Sequence, residues 1–435
     1  MHRLLLITYY YPPAPRVGAY RPARLVRHLP EFGWDVTVLT ARLPGVERHD
    51  EDIIETPCED VLGEWKARLH LDPHVGLHAQ LGLPLATKVN SQLWHTRLIS
   101  WGKQWIAFPD AMRGWVAGAL QAAIRLGRTE HIDAILSTSP PVSAHVIGSR
   151  SQSALLCPWI ADYRDLWNGS FITQGYQRAM LKNAAALVTV SAPLADKLQR
   201  QQPDKPVSWI TNSFEPDEFP SRAAPPAGLF TITYTGTLYE GRRDPTLLLQ
   251  VIQELIMEGL FRPDDVRVRF YGAQEPFLEA LIEKLKLGGI VTIEERVSHE
   301  RALTLQAESQ LLLLIDWNDV SERGIYTAKV FEYLGSRRPI LALGPVREGV
   351  VEELLRQTGA GFLFTTKQEL RPFLLHCYRE WQQCGSVSYH GRQSVIDTYT
   401  SRSMAKRFAN VLDSVIHDYH PHHVSAQADL AVHGS

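Results

Sequence analysis

Cysteine is scarce in this chain. Its 435 residues include four cysteines, and no two of them form a C-x-x-C pair. They are Cys58, Cys157, Cys377 and Cys384. Such scattered cysteines indicate neither a disulfide framework nor a zinc site, and they fit a reducing compartment. We interpret them as small buried apolar side chains.

A charge excess of either sign is also absent. The formal net charge is -2, whereas nucleic-acid-binding proteins normally carry a basic excess. Uncharged apolar runs of membrane-spanning length are missing too, and the run at residues 4–7 is too short for the core of a signal peptide. We therefore expect a cytoplasmic protein without a nucleic-acid partner, whose membrane contact, if any, is peripheral and local.

The first strand-like run is not followed by G-x-G-x-x-G, which argues against a nicotinamide dehydrogenase.

What the chain does have is an alternation of strand-like and helical stretches, typical of parallel sheets covered on both faces. Its length and its 45% apolar content favour two domains. The strand-like runs of the first set are 4–8, 36–40, 134–137, 159–161, 187–190 and 207–210, and those of the second are 230–234, 266–271, 290–293, 311–315, 340–343 and 361–364.

A proline- and alanine-rich patch at 220–228 separates the two sets. We predict a first domain over 1–215 and a second over 228–385. Apolar residues at helical spacing predict a further helix within 386–416, and 417–435 is predicted to be a disordered tail.

The most informative segment reads SERGIYTAKVFEYLGSRRPILALGP and begins at residue 321. A polar loop leads into a short helix that carries Lys329 and Glu332. Backbone N–H groups at Tyr326 and Thr327, together with the helix dipole, would hold a phosphate. Glu332 suits ribose hydroxyls, so the segment predicts a nucleotide-sugar pocket. The simpler alternative is an ordinary salt bridge between Lys329 and Glu332.

The loop after the first strand of each set is the other place where ligands meet an open parallel sheet. In the first set Gly18 lets a donor or an acceptor approach the backbone closely, and Arg21 follows it. In the second set Gly236 is followed by Arg242 and Arg243, just before a helix start. The two arginines either bind the phosphates of a leaving nucleoside diphosphate or are solvated at the helix start.

Two further stretches bear on the acceptor. The segment DYRDLW contains Asp162, Arg164 and Trp167. This cluster either orients an acceptor hydroxyl, interacts with the donor sugar, or forms an internal ion pair between Arg164 and a carboxylate. Trp167 either packs in the core or stacks on the acceptor. A helical stripe with nearby basic residues either contacts a membrane surface or is buried in the core. The stripe consists of Trp94, Leu98, Trp101 and Trp105.

The motifs KVFEYL and RRPILA resemble the donor-binding block of family 4 glycosyltransferases. The resemblance extends to TYYYPPAPRVGAYRPARL, STSPP, PWIADYRDLW, VTVSAPLADKL and ITNSFEPDEF, in the order and spacing seen in bacterial surface-polysaccharide enzymes. It implies an α/β fold of the GT-B class, with two facing Rossmann-like domains and a terminal helix that crosses back to the first. It also implies a retaining transferase that needs no metal or other cofactor.

The resemblance also implies roles for the residues named above. The donor, expected to be a UDP-sugar, is bound by Gly18, Gly236, Arg242, Arg243, Tyr326, Thr327, Lys329 and Glu332, with Arg243 favoured over Arg242 for phosphate contact. Asp162 and Arg164 are the predicted catalytic residues. Arg21 and Trp167 are predicted to contact the acceptor, a glycan that is expected to be lipid-linked.

This chain departs from the family at Gly324. The family pattern has two glutamates with seven residues between them, and Gly324 stands at the first of these positions, while Glu322 lies two residues earlier. The donor's sugar therefore cannot be inferred. Two alternatives stay open: a binding partner of a polysaccharide assembly that holds nucleotide-sugar without turnover, and a GT-B nucleotide-sugar epimerase.

Overall fold

A computed structural model describes residues 1–14, 16–46, 48, 50, 52–60, 108–167, 171–220, 228–319, 324–345 and 347–419. Its contacts divide the chain into two compact units. The first comprises Met1–Val190, Leu194–Ile210 and Ala405–Ser435, and the second comprises Ser191–Pro193 and Thr211–Met404. Within the described ranges, no helix combines the length and the apolar character needed to cross a membrane.

The first unit is built on a seven-stranded parallel sheet. Its strands are β1 (His2–Ile7), β2 (Trp34–Ala41), β3 (Ile53–Thr56), β4 (Ala134–Ser139), β5 (Trp159–Tyr163), β6 (Ala186–Thr189) and β7 (Val207–Trp209). The order across the sheet is β3-β2-β1-β4-β5-β6-β7. Sequence analysis missed β3, a short strand at the edge whose four residues lack an alternating pattern.

The helices of this unit are α1 (Tyr20–His28), α2 (Trp115–Thr129), α3 (Ser143–Leu155), α4 (Phe171–Leu181) and α5 (Ala192–Gln201). The central strands β4 and β5 are buried along their whole length, including the polar residues Ser137, Thr138, Ser139 and Asp162 at their carboxyl ends. Trp34, Trp115 and Trp159 are fully buried and fill the space between the sheet and the helices. Because β1, β4 and β5 are neighbours, the loops that follow them meet at one edge of the sheet.

The second unit has a six-stranded parallel sheet in the order β10-β9-β8-β11-β12-β13. The strands are β8 (Phe230–Thr235), β9 (Val266–Tyr271), β10 (Val291–Glu294), β11 (Leu311–Ile315), β12 (Ile340–Leu343) and β13 (Gly361–Phe364). The helices are α6 (Thr246–Met257), α7 (Pro276–Lys284), α8 (His299–Ala307), α9 (Lys329–Ser336), α10 (Val350–Thr358) and α11 (Lys367–Cys384). Since β8 and β11 are adjacent, the loops after residues 235 and 315 are neighbours.

The C-terminal part of the chain differs from the predicted single helix. It forms a short helix α12 (Gln393–Ile396), a 3-10 turn (Asp397–Tyr399) and the long helix α13 (Ser401–Asp418). Residues 386–404 cluster with the second unit, because Arg392 N–H bonds to Thr358 O and Ile396 is buried in that unit's core. The helix also continues through Asp418, into the stretch predicted to be a disordered tail.

The boundary between the units also differs from the predicted one. Residues 211–215 cluster with the second unit rather than the first, since Phe214 N–H bonds to Tyr399 O at 3.2 Å. The later part of α13 belongs to the first unit, where Trp34 Nε1 donates to Asp413 Oδ1 at 2.9 Å. The local sequence pattern could not predict the Phe214–Tyr399 contact or the Trp34–Asp413 contact, because each joins residues that are far apart in the chain.

Candidate functional site

Gly236 is the first residue after β8 in the second unit, and only glycine fits there. Its φ is +124°, a left-handed conformation that other residues rarely adopt. A Cβ at this position would lie 2.3 Å from Lys329 Cε and 2.4 Å from Lys329 Nζ. The missing side chain therefore makes room for the Lys329 amine directly against the loop.

Lys329, the first residue of α9, lies half-buried at this loop. Its Nζ donates to Tyr234 Oη at 3.1 Å and lies 4.4 Å from the centroid of the Tyr234 ring. Across the described ranges, no carboxylate forms an ion pair with it, so the predicted alternative of a Lys329–Glu332 salt bridge does not form. Burial, reinforced by Arg243 and opposed by Glu332, lowers the pKa of Lys329 to about 7.

Arg243 is the second cation at this place. It is 6% exposed, its Nε has no hydrogen-bond partner, and it forms no ion pair within the part of the chain that the structure describes. Its guanidinium lies 5.1 Å from the Tyr239 ring centroid and 4.6 Å from that of Trp317. Arg242, by contrast, is exposed. Of the two predicted arginines, Arg243 is the one that shares a buried site with Lys329.

Buried charges are normally paired, because removing a charge from water without a partner is costly. Arg243 instead lies close enough to Lys329 to help lower the pKa of its amine, and the contacts of the two cations within the described residues are with a phenol and with aromatic faces. A bound anion would satisfy both cations at once. The arrangement is that of an anion site with two fixed positive charges.

The start of α9 adds backbone donors to the same place. Ala328, the N-cap residue, has no side-chain oxygen to cap the first turn. Thr327 is buried, and its carbonyl accepts from Val330 N–H at 3.1 Å. N–H groups at an uncapped helix start bind anions, and the helix dipole adds to the attraction of Lys329.

Glu332 lies one turn into α9, with 17% of its side chain exposed, and its neighbour is a histidine that the sequence did not single out. His299 Nδ1 is 3.9 Å from Glu332 Oε1, and its Nε2 is 3.4 Å from Glu218 Oε2. His299 opens α8, whose N-cap Ser298 accepts from Arg301 N–H at 3.2 Å. The contact of His299 with Glu332 depends on tertiary structure, so no local pattern in the sequence indicates it.

In the first unit, Asp162 and Arg21 form a bidentate ion pair that is almost wholly buried. Asp162 is 0% exposed and Arg21 4%. Arg21 donates from Nε and Nη2 to the two carboxylate oxygens, at 2.9 Å each, and also from Nη2 to Ile210 O at 2.9 Å. Thr138 Oγ1 adds a further bond to Asp162 Oδ2 at 2.9 Å. The predicted internal ion pair between Arg164 and a carboxylate is therefore wrong for the described residues, because Asp162 pairs with Arg21 instead.

Arg164 instead donates to three backbone carbonyls. The distances are 3.0 Å to Ser139 O, 3.0 Å to Gly18 O and 2.7 Å to Pro140 O. A Cβ on Gly18 would lie 2.6 Å from Arg164 Nη1, so Gly18 lets the guanidinium reach the loop after β1. Burial lowers the pKa of Arg164, and Asp162 opposes that effect. The arginine ties the loops after β1 and β4 together.

Trp167 belongs to an aromatic cluster beside these loops. Its ring centroid is 5.8 Å from that of Phe108 and 6.1 Å from that of Tyr176. It is half-buried against the core of the first unit, so a packing role and a stacking surface are both compatible with its position. The predicted tryptophan stripe and Glu322 lie outside the described residues, as does the tail after Tyr419.

Protein-family models and curated proteins provide no match to this chain. Solved structures match it over nearly its full length. A glycosyltransferase from Rickettsia africae ESF-5 aligns with a TM-score of 0.60 and 12% identity, covering 96% of this chain and 99% of that one. Anabaena Alr3699/HepE, solved with UDP, gives 0.58 and 14%, with coverages of 95% and 100%.

A third structure, described as a UDP-N-acetylglucosamine 2-epimerase from Listeria monocytogenes, gives a TM-score of 0.50 at 10% identity, with coverages of 96% and 98%. Identities this low establish the fold and nothing finer. The fold class predicted from the sequence, an α/β protein of the GT-B class with two Rossmann-like parallel sheets, is confirmed.

Proposed function

We propose that this protein is a glycosyltransferase that moves a sugar from a nucleoside diphosphate donor, expected to be UDP-linked, to a bacterial glycan. The observation that carries the proposal is a pair of cations, the buried Arg243 and the half-buried Lys329, which form no ion pair with any described residue and lie at the loop after β8 and the start of α9. A diphosphate is the anion whose two charged groups suit two fixed cations and a helix start.

The chemistry of transfer fits the same arrangement. When the glycosidic bond to the donor breaks, negative charge grows on the departing diphosphate, and preorganised positive charge stabilises it. Lys329 and Arg243 supply that charge, while the N–H groups at Tyr326 and Thr327 supply donors. Gly236 permits the close approach. Family resemblance further suggests that the anomeric configuration is retained and that no metal is needed.

Glu332 is the proposed ribose ligand. Its carboxylate lies one turn from the helix start that would hold the phosphates, and His299 lies beside it. Two ribose hydroxyls can donate to one carboxylate, as in other nucleotide sites. His299, which lies between Glu218 and Glu332, would keep the Glu332 carboxylate in place.

The first unit is the proposed acceptor side. Asp162 has both carboxylate oxygens bonded and no exposure, so we propose that it acts by positioning Arg21 and the adjoining loops rather than by taking a proton. Arg164 and Gly18 shape the loop edge, and Trp167 offers an aromatic surface to a sugar. A lipid-linked acceptor in surface-polysaccharide synthesis, met at the cytoplasmic face of the membrane, follows from the family resemblance.

Gly324 favours one competing function, a partner that binds nucleotide-sugar without turnover, because the family's first glutamate is missing. An epimerase would use the same phosphate contacts but needs no acceptor. The three functions differ in what happens to the donor: transfer releases nucleotide only with an acceptor, epimerisation converts the free donor, and a binding partner does neither.

The test is nucleotide release from a panel of UDP- and GDP-sugars, with and without a bacterial membrane lipid extract, in buffer with EDTA. We expect release that depends on the extract and is lost in Glu332→Ala. Glu279→Ala, which removes an exposed carboxylate of the same unit, serves as the matched control and should behave like wild type. Saturable donor binding without release would contradict the enzyme, and conversion of free donor would indicate the epimerase.

A further inference from the structure

The side chain of Tyr234, the fifth residue of β8, is fully buried beside the loop that follows this strand. Its hydroxyl donates to Thr237 O at 2.8 Å, on the far side of Gly236 in the chain. Gly236 N–H in turn donates to Tyr271 O at 2.7 Å, which anchors the loop to β9. Because the single phenol proton is used by the loop, the Tyr234 oxygen meets its other neighbours as an acceptor.

One of those neighbours is Lys329. Its amine donates to Tyr234 Oη at 3.1 Å and lies 4.4 Å from the centroid of the Tyr234 ring. Both contacts favour a cation, since the phenol oxygen accepts a hydrogen bond and the ring face attracts positive charge. Among the described residues the amine uses one of its three N–H donors in this way, so two remain for a ligand.

The phenol of Tyr234 stays neutral at this place. Burial raises the pKa of Tyr234 to about 12, with the Arg243 guanidinium opposing the rise and the Glu275 carboxylate adding to it. A neutral oxygen holds an amine in place without cancelling its charge, whereas a carboxylate does both. Asp162 of the first unit shows the second arrangement, because its carboxylate pairs with Arg21.

Neighbouring elements fix both sides of this contact. Tyr234 is paired with Phe270 of β9, and the two ring centroids are 5.7 Å apart at 47°. Tyr333 of α9 donates to Leu313 O at 3.1 Å and accepts from Thr235 N–H at 3.4 Å. The helix that begins with the lysine is therefore tied to β8 and to β11, so the phenol and the amine belong to elements that are joined to each other.

We propose that Tyr234 is a positioning residue whose neutral phenol oxygen holds the Lys329 amine for the donor's diphosphate and helps to keep that amine charged. This inference rests on the proposed function. A hydrogen bond to a charged amine is stronger than one to a neutral amine, so loss of the oxygen should lower the pKa of Lys329 further, below its value of about 7. Arg243 also lowers this pKa and Glu332 raises it, and a substitution of Tyr234 leaves both groups in the protein.

Calorimetric titration of the whole protein with UDP and GDP at pH 6, 7 and 8 tests the inference. Each profile is measured relative to Lys329→Arg, whose cation stays charged and which therefore reports the titration of the nucleotide itself. Wild-type affinity should fall about twofold between pH 6 and pH 7 and about fivefold between pH 7 and pH 8. Tyr234→Phe should lower the pKa of Lys329 by about one, so its fivefold fall should come between pH 6 and pH 7. At pH 7 it should bind about fivefold more weakly than wild type.

Tyr333→Phe is the matched control, because it removes a buried hydroxyl of the same unit that bonds main-chain groups and not Lys329. It should lower stability without moving the pH at which nucleotide affinity falls. Tyr234→Met, which also lacks the oxygen, is a second variant in case Tyr234→Phe folds poorly.

Three results would overturn the inference: a wild-type profile in the Tyr234 variants, a loss of affinity that is the same at all three pH values, or an equal displacement of the profile in Tyr333→Phe. A further loss from Tyr234→Phe in the Lys329→Arg background would overturn it as well, since the two residues would then act separately. If wild type binds neither nucleotide, both this inference and the proposed function fail. If wild type binds one of them and the Tyr234 variants keep its profile, only the inference fails.

Discussion

Both units place a glycine in the loop after the first strand of their sheet, directly against a basic side chain. In the first unit Gly18 makes room for Arg164, and in the second Gly236 makes room for Lys329. The surroundings of the two cations differ. Arg164 donates to three carbonyl oxygens, whereas Lys329 has a phenol oxygen and an aromatic face.

The same contrast holds for the second cation of each unit. Arg21 is paired with Asp162 through two hydrogen bonds, while Arg243 lies beside two neighbouring aromatic rings with its Nε unbonded. A cation whose donors are already used by the protein maintains the fold. A cation held in place without an anion is prepared for a ligand. The comparison therefore supports the proposal that the cations of the first unit stabilise the fold and that those of the second bind an anion.

The largest predicted effect is on the ion pair of the first unit. Asp162→Asn leaves Arg21 buried with a neutral partner, and loss of one member of such a pair costs about 3–5 kcal/mol of unfolding free energy. Denaturant unfolding measures the loss. Asp165→Asn, at an exposed neighbouring carboxylate, is the control and should change stability by less than about 0.5 kcal/mol. Equal stability of the two variants would show that the pair is not structural.

The second prediction concerns the pH dependence of stability that His145 gives to the first unit. It is fully buried against Ser137 and Tyr163, and burial lowers its pKa from 6.5 to about 3, with Asp162 opposing and Arg164 reinforcing the shift. The folded protein keeps the ring neutral while the unfolded chain takes up a proton as the pH falls. Stability should therefore drop by about 2 kcal/mol from this group between pH 7 and pH 5.

Chemical unfolding of His145→Gln at the two pH values measures this contribution as a difference from wild type. The variant should be less dependent on pH by that amount, even if it is less stable overall. Identical pH dependence of the two proteins would show that His145 is not kept neutral by burial.

Substituting Gly18 and Gly236 tests directly whether the cation of the first unit stabilises the fold and that of the second binds a ligand. Gly236→Ala should displace the Lys329 amine and weaken UDP binding about tenfold, or about 1.4 kcal/mol. Gly18→Ala should push Arg164 off at least one carbonyl and cost about 1.5 kcal/mol of stability. Calorimetry and unfolding of both variants measure all four quantities. If Gly18→Ala weakened UDP binding as much as Gly236→Ala does, the division between the units would be wrong.

A smaller effect concerns the pH dependence of nucleotide affinity. Lys329 has a pKa of about 7 in the free protein, and a bound diphosphate should raise it because the anion favours the charged amine. Binding then takes up a proton above pH 7, so UDP affinity should fall about fivefold between pH 7 and pH 8. Lys329→Arg, which stays charged, should give a flat profile over this range. A fall of the same size in the arginine variant would exclude Lys329 as the titrating group.

Sequence reasoning predicted the architecture because apolar strand runs alternate with helical stretches and because the family motifs keep their order. Twelve of the strands fall close to the predicted runs, and the short edge strand β3 was missed. The glycine loops and the helix that carries Lys329 were also visible, since glycine, basic residues and a helix start lie close together in the sequence.

The pairings within the site could not be predicted from the sequence. Arg21 and Asp162 belong to different elements, and nothing local indicates that they meet. The same holds for His299 beside Glu332 and for Trp317 over Arg243. Gly18, a predicted donor contact, lies directly against the Arg164 guanidinium, so the need for glycine there can be explained without a donor. Long-range contacts decide which charged residues are structural and which await a ligand.

The central claim is that the second unit's cations are held for a nucleoside diphosphate, and Lys329→Met tests it most directly. Calorimetric UDP titration and denaturant unfolding should be measured on the same preparations of variant and wild type. We predict UDP binding weaker by about 10- to 100-fold, with stability unchanged or increased because a half-buried cation without a described anionic partner has been removed. Unchanged UDP affinity with a loss of stability would contradict the account, since Lys329 would then be a structural cation like Arg164.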